Sequence, residues 1–327
     1  MSGSRFPATL ALVSLVSAIL AATTPSYALK PMRGYPAIPS DYGIRYEAVR
    51  FTTSDSVGIA AWFFPAQDTA GIAHDLVGRM VPVPPELRVG TRETSAPPAG
   101  AGLAALPTVV VASGDGGNMT QNILYAYHLC TQGLNVLTFD WRGFGESDEW
   151  PKDGTMLADQ LCYTEFLHDY EAALAYAAAR SDVDPARIGL FGYSTGAYLS
   201  FAIVSRHPEV AAFAGRALIT SFGDLLPLVR SLMPERSFSA PADWPDSLDP
   251  IRAAERVRCP VLLIVGEKDP RTPPWMSERV AATLAGAKEI WIVPGAEHGG
   301  ATAPEFTNYP EFFVRVREFF RISLKVE

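Results

Sequence analysis

The sequence predicts an α/β domain built on a mostly parallel central sheet. Three observations support this: short apolar runs alternate with helical stretches, those runs are apolar throughout, and 48% of the 327 residues are hydrophobic against 19% charged. Strands that alternate with helices form right-handed crossover units. Strands buried on both faces appear as continuous apolar runs. The composition is that of a globular protein with a sizeable core.

The predicted elements follow one another in a regular order. Two β-rich runs, 44–52 and 57–64, flank Thr-Ser-Asp-Ser and predict an antiparallel hairpin before the parallel strands. Apolar runs predict six further strands, at 108–112, 134–139, 187–191, 217–220, 261–265 and 289–293. Helical spacing predicts helices at 118–132, 157–180, 195–206, 275–284 and 309–322.

Two segments depart from this alternation. Residues 66–106 are rich in Pro, Gly and Ala, and a stretch of that length without periodicity predicts a surface insertion, with or without a role. Residues 221–256 lie between two predicted strands and contain a weak helical signal at 249–256. We expect them to form a small lid above the carboxyl ends of the strands, where open α/β sheets bind ligands.

The N-terminus has the features of a secretory signal. Arg5 is followed by an apolar stretch, and the small residues Ser26 and Ala28 fit a cleavage after residue 28. We therefore expect a signal peptide at 1–28, a single domain at 29–327, and export to the periplasm or the medium. The alternative is an uncleaved membrane anchor, because about 17 apolar residues lie near the lower limit for spanning a bilayer.

Charge and cysteine content limit the partners. The formal net charge is −8 and the basic residues form no cluster, which argues against a nucleic-acid partner. Cys130, Cys162 and Cys259 match no metal-site spacing, and we interpret them as buried apolar residues. An exported protein could instead form one disulfide from them. We expect no metal and no organic cofactor, and the sequence carries no signal for an oligomeric state.

The motif Gly-Tyr-Ser-Thr-Gly at 192–196 carries the chemistry. It joins a predicted strand to a predicted helix, and in that context G-x-S-x-G places a nucleophilic serine on a strained turn. The motif alone is a weak signal, and the flanking strand and helix supply its context. We therefore predict Ser194 as a nucleophile.

A serine nucleophile needs a base and an acid that orients the base. In this kind of fold they follow the serine in the order acid, histidine. His298 lies in a glycine-flanked loop after the last predicted strand, whereas His207 ends the helix that starts at the serine, far from the site. Asp269 follows the strand at 261–265 and is the predicted acid, with Asp224 as the alternative.

Two backbone amides should stabilise the oxyanion. One is predicted to be the amide of Thr195, directly after the nucleophile. The other is predicted to be the amide of Asp115, in the glycine-rich loop 113–118 after the first parallel strand. The loop has neither the Lys-Ser/Thr of a phosphate-binding loop nor a dinucleotide-binding pattern. The carboxylate of Asp115 is unusual beside an oxyanion.

From about residue 44 onward, the chain resembles the α/β-hydrolase superfamily, in particular its small-lid serine hydrolases. The resemblance is carried by five pieces in the family's order, at 113–118, 139–147, 192–196, 266–270 and 295–299. It implies that Ser194 is the nucleophile, Asp269 the acid and His298 the base. Ser113-Gly114 stands where relatives usually have His-Gly, which leaves the arrangement of the oxyanion loop open.

These observations predict a serine hydrolase that cleaves a carboxylic ester through an acyl-enzyme. A peptidase or amidase of the same fold is the alternative, and a non-catalytic binding protein is a third. The expected substrate is a small molecule with an apolar acyl or leaving group. That expectation comes from the apolar side chains of the predicted lid, namely Phe222, Leu225, Leu226, Leu228, Met233, Phe238 and Trp244.

Overall fold

An eight-stranded sheet forms the centre of the protein, as seen in a computed structural model that describes residues 28–69, 72, 105–150 and 159–326. Its strands are β1 (Glu47–Thr52), β2 (Gly58–Phe64), β3 (Leu106–Ala112), β4 (Asn135–Phe139), β5 (Val183–Tyr193), β6 (Ala212–Arg216), β7 (Val261–Gly266) and β8 (Lys288–Val293). Their spatial order is β8-β7-β6-β5-β3-β4-β2-β1. The β1–β2 and β2–β4 pairs are antiparallel, and the other neighbouring strands of the sheet are parallel. The predicted fold class and hairpin are confirmed.

Helices cover both faces of this sheet. They are α1 (Ile123–Cys130), α2 (Phe166–Ala178), α3 (Thr195–Val204), α4 (Phe222–Leu232), α5 (Pro250–Ala253), α6 (Pro274–Thr283), α7 (Pro304–Thr307) and α8 (Glu311–Ser323). Helices α2, α3 and α6 share one core cluster, and α1 and α8 share the other. Val110 of β3 belongs to the first cluster and Val109 and Val111 to the second, which explains why this strand is apolar throughout.

The predicted strand at 217–220 is wrong. The strand at this place is Ala212–Arg216, and the chain leaves the sheet at Ala217, which has a φ of 61°. Leu218 and Ile219 are apolar because they are buried beyond the end of the strand. The strand itself was missed because Arg216 ends it, and a buried arginine gives no apolar signal.

Three predicted helices differ in extent from the helices in the structure. The helix predicted at 157–180 begins only at Phe166, because Leu161 donates its amide to Ser239 O (2.9 Å) in an extended conformation. The helix predicted at 118–132 divides into a 3-10 turn and α1. The weak helix at 249–256 is the short α5 with 3-10 turns on either side.

The segment 221–256 contains a longer helix that the sequence did not predict. This is α4, which includes Pro227, a residue that removes one helical hydrogen bond and obscured the pattern. The helix is started by Ser221, whose side chain accepts a hydrogen bond from the amide of Asp224 at 3.1 Å.

Several predictions concern residues outside the described ranges. The predicted signal peptide lies there except for Ala28, and so does most of the predicted insertion at 66–106. Within the described ranges, no helix has the length and apolar character needed to cross a membrane.

Candidate active site

Ser194 stands at the turn between β5 and α3 in a strained conformation. Its φ of 53° and ψ of −124° are rarely adopted by residues other than glycine. The two flanking glycines have no room for a side chain. A Cβ on Gly192 would lie 2.4 Å from Gly196 O, and a Cβ on Gly196 would lie 2.2 Å from Ser113 O. The G-x-S-x-G spacing is therefore required by close backbone packing around the serine.

His298 lies next to Ser194 and Asp269. The Ser194 Oγ is 3.0 Å from His298 Nε2, and His298 Nδ1 is 2.8 Å from Asp269 Oδ2. The histidine follows β8 and the aspartate follows β7, so both project from the carboxyl edge of the sheet. The three residues predicted from their order in the chain are thus brought together at hydrogen-bond distances.

Asp269 is held in a buried hydrogen-bond network. It is 3% exposed and accepts the amides of Arg271 and Thr272, each at 2.9 Å, and the Thr272 hydroxyl at 2.7 Å. Burial opposes ionisation of this carboxyl, but the hydrogen bonds from His298 and Thr272 outweigh it and hold its pKa below the usual value. Asp269 is therefore an anion that can orient the imidazole of His298.

The alternative acid, Asp224, has other partners. It accepts the hydroxyl of Thr220 at 2.6 Å and lies 3.4 Å from the exposed guanidinium of Arg279. The geometry therefore favours Asp269 over Asp224 as the partner of His298. Sequence reasoning missed Thr272, although an aspartate side chain commonly accepts the backbone amides two or three residues further on.

The two predicted oxyanion donors border the same cavity as Ser194. Asp115 and Thr195 both line it, and Thr195 is the first residue of α3. Ser113, which stands where a histidine was expected from the resemblance, accepts a hydrogen bond from the Asn122 side chain at 2.9 Å. Gly114 packs against the ring of Tyr193, where a Cβ would lie 2.9 Å from the ring. The loop at 113–118 is therefore anchored on one side by buried side chains.

The N-terminal segment anchors the same loop from the other side. Lys30 and Pro31 pair in parallel with Gly116 and Gly117. The amide of Lys30 donates to Asp115 O at 2.7 Å, and the amide of Met32 donates to Gly117 O at 2.9 Å. Main-chain pairing of this kind leaves no pattern in the side chains, so it cannot be predicted from the sequence.

A cavity of about 640 Å³, including its open mouth, lies above Ser194. Its apolar wall is formed by Leu161, Tyr198, Ile219, Leu225, Val229, Met233 and Phe238. The lining also includes Ala28, Ala217 and Thr272, together with four charged residues, namely Lys30, Asp115, Arg236 and Arg271. Three of the seven apolar residues predicted from the lid line this cavity (Leu225, Met233 and Phe238). Phe222 and Trp244 instead pack edge to face against each other, with ring centroids 5.4 Å apart.

Other chemistry-bearing groups lie away from the cavity or inside the core. Cys130, Cys162 and Cys259 are buried and not bonded to one another. Across residues 28–69, 72, 105–150 and 159–326, no cluster of three His, Cys, Asp or Glu side chains could hold a metal ion. Burial raises the pKa of the Cys130 thiol to about 12, which makes it a poor nucleophile.

The sheet order and the serine on its strand-to-helix turn define an α/β-hydrolase, and comparison with known proteins supports a serine hydrolase of this fold. Residues 121–321 match the prolyl oligopeptidase family, and the chain belongs to that family.

Relatives of known sequence are similar to this chain over part of its length. An uncharacterised protein of Mycobacterium tuberculosis is 33% identical over 199 residues, which are 59% of this chain and 63% of that protein. The YfhR protein of Escherichia coli is 26% identical over 260 residues, 77% of this chain and 73% of its own length. This chain therefore spans less than two thirds of the mycobacterial relative.

Solved structures share the fold at low sequence identity. An esterase of Pyrococcus furiosus superimposes with a TM-score of 0.62 at 18% identity, covering 90% of this chain and 100% of the esterase. A puromycin-hydrolysing peptidase of Mycobacterium tuberculosis superimposes with a TM-score of 0.61 at 20% identity, covering 88% of this chain and 40% of the peptidase.

Proposed function

We propose that the protein hydrolyses carboxylic esters through Ser194, His298 and Asp269. The observation that carries this proposal is the continuous chain of hydrogen bonds from Ser194 Oγ to His298 Nε2 (3.0 Å) and from His298 Nδ1 to Asp269 (2.8 Å). A weak hydroxyl nucleophile requires such a base within hydrogen-bond reach. A bond of this length also favours catalysis over a binding role without chemistry.

In the first half of the reaction, His298 takes the proton of Ser194 as the hydroxyl oxygen attacks the ester carbonyl. The ionised Asp269 stabilises the imidazolium that forms. The amides of Thr195 and Asp115 are the proposed donors to the oxyanion. His298 then protonates the departing alcohol and leaves an acyl group on Ser194.

In the second half, water attacks the acyl-enzyme. His298 takes a proton from that water, and the tetrahedral intermediate collapses to release the acid and restore the Ser194 hydroxyl. Every proton transfer in the cycle passes through one imidazole. The reaction balances with the ester and one water molecule as the reactants.

The apolar wall of the cavity supports an apolar acyl or leaving group. Leu225, Val229 and Met233 project from the lid segment toward the cavity that holds Ser194. A buried methylene contributes about 0.8 kcal/mol, so each added carbon in this wall should favour binding by about fourfold. We therefore expect esters with medium-length acyl chains to be better substrates than acetates.

A peptidase or amidase is the second candidate. The family match at 121–321 and the fold shared with a puromycin-hydrolysing peptidase favour it. Screening the purified protein against p-nitrophenyl esters of increasing chain length and against aminoacyl anilides separates the two. We expect kcat/KM to rise with acyl length on esters. Turnover of anilides at comparable kcat/KM would favour the peptidase instead.

We also propose that residues 1–28 direct export and are removed. The apolar stretch after Arg5 and the small residues before position 29 support this. N-terminal sequencing of the protein from the periplasm or medium should give Leu29 as the first residue. An intact N-terminus in the membrane fraction would favour the uncleaved anchor.

A further inference from the structure

The nucleophile and the base share a buried neighbour, Arg216, that has no part in the mechanism above. This arginine ends β6 and is 4% exposed. Its carbonyl accepts the amide of Ser194 at 2.8 Å, and its side-chain Nη1 donates to the carbonyl of His298 at 2.7 Å. One residue therefore contacts the backbone of both the proposed nucleophile and the proposed base.

The charge of Arg216 is matched inside the protein. Its Nε lies 3.2 Å from the carboxylate of Glu305, whose side chain is 10% exposed. Its guanidinium carbon lies 5.1 Å from the ring centre of Tyr193, the residue before the nucleophile. A buried cation is tolerated only when it is paired and hydrogen-bonded. Here the Glu305 carboxylate pairs with the guanidinium without a hydrogen bond from Nε, the His298 carbonyl accepts a hydrogen bond from Nη1, and the Tyr193 ring lies beside the charge.

The two residues that follow His298 have open space around them. Gly299 and Gly300 follow the histidine, and a Cβ placed on either would find no atom within 4 Å. Glu305 lies on α7, at the far end of this loop. Arg216 thus connects the carbonyl of His298 to the helix that closes the loop.

We infer that Arg216 is a positioning residue, which fixes the backbone of His298 so that its imidazole faces Ser194. The inference rests on the proposed function of that triad. Positioning of this kind matters because a displacement of about 1 Å in a catalytic group can lower a rate by about 100-fold.

Replacing both members of the Arg216–Glu305 pair tests the positioning role of Arg216 without leaving one buried charge unpaired. Arg216→Met together with Glu305→Leu removes both charges, and such replacements are usually tolerated by the fold. We expect the double variant to keep its circular dichroism spectrum but to lose about tenfold or more in kcat on p-nitrophenyl butyrate. KM should change much less, and the rate of fluorophosphonate labelling should fall in parallel with kcat.

Two further variants keep the test decisive if the double variant does not fold. Arg216→Lys keeps a cation beside Glu305 but cannot reproduce the fork geometry of the guanidinium, so we expect a several-fold loss of kcat. Glu305→Gln leaves the bond from Arg216 to His298 in place and should lose less. The surface pair Arg315 and Glu289, changed to Met and Leu, is the matched control and should keep wild-type kcat.

The outcomes distinguish this inference from the proposed function. Wild-type protein that is not labelled at Ser194 would contradict the proposed function itself. Suppose instead that the wild-type protein is labelled at Ser194. A kcat and a labelling rate within about twofold of wild type in Arg216→Lys, and also in the double variant where it folds, would then overturn only the role of Arg216.

Discussion

The two sides of the candidate site are built in different ways. On the acid–base side, Asp269 and His298 follow neighbouring strands, and Asp269 is held within its own loop by Thr272, whose hydroxyl donates to it at 2.7 Å. On the oxyanion side, the loop at 113–118 is held by a remote part of the chain, since Lys30 donates to Asp115 O at 2.7 Å. The comparison teaches that the acid is positioned by its own loop, while the amides proposed for the oxyanion depend on a long-range backbone contact.

The largest expected effect lies on the acid–base side. Asp269→Asn should lower kcat on an activated ester by about 10⁴-fold, because an amide disfavours the correct tautomer of His298 and cannot stabilise its cation. KM should change little. Asp224→Asn is the matched control, since Asp224 is bonded to Thr220 rather than to His298. Steady-state kinetics of both variants would contradict the assignment if Asp224→Asn showed the larger loss.

A smaller effect is expected on the oxyanion side. Met32→Pro removes the amide that donates to Gly117 O at 2.9 Å, and we expect kcat to fall roughly ten- to a hundred-fold as the loop shifts. Met32→Ala keeps that amide and should lose much less. Steady-state kinetics of the two variants, with thermal unfolding to check the fold, tests the contact. Equal kcat values would show that the N-terminal segment does not position the loop.

Substitutions in the cavity wall should change the selectivity for acyl-chain length without altering the reaction at Ser194. Val229→Trp fills space beside Ser194, and we expect kcat/KM for an octanoate ester to fall about tenfold relative to the acetate ester. Ser231→Trp lies on the exposed side of α4 and serves as the control. A competition assay with mixed esters measures the ratio. An unchanged ratio in Val229→Trp would mean that the acyl chain binds elsewhere.

The smallest expected effect is on the pH dependence of the unfolding free energy, and it comes from the buried Asp140. Burial raises the pKa of Asp140 to about 7, although hydrogen bonds from Tyr35 and Met119 oppose the shift. Its unfolded pKa is about 3.9, so the folded state binds the proton more tightly and loses stability as pH rises from about 4 to 7. Asp269, whose pKa is lowered, is ionised in both the folded and the unfolded state at pH 5–8. It therefore adds nothing to the pH dependence of the unfolding free energy in that range.

Asp140→Asn should therefore flatten the pH dependence of the unfolding free energy between pH 5 and 7. Asp269→Asn should leave that slope as in wild type. Urea denaturation at four or five pH values measures both. The same slope in wild type and in Asp140→Asn would contradict the account of this buried acid.

The fold and the acid–base side could be predicted from sequence, because both leave local signals. Strand β3 is a continuous apolar run, and Ser194 lies in a motif between a strand and a helix. The pairing of Lys30 with the oxyanion loop could not be predicted, since main-chain hydrogen bonds do not select side chains. Arg216 was missed for another reason: its burial depends on Glu305, which lies far away in the sequence.

Mapping the site of covalent labelling tests the central claim most directly. The protein would be treated with a fluorophosphonate, digested, and the modified residue identified by mass spectrometry. The account predicts an adduct on Ser194, no adduct in Ser194→Ala, and greatly slowed labelling in His298→Ala. An adduct on another serine, or labelling of Ser194→Ala at the wild-type rate, would contradict it.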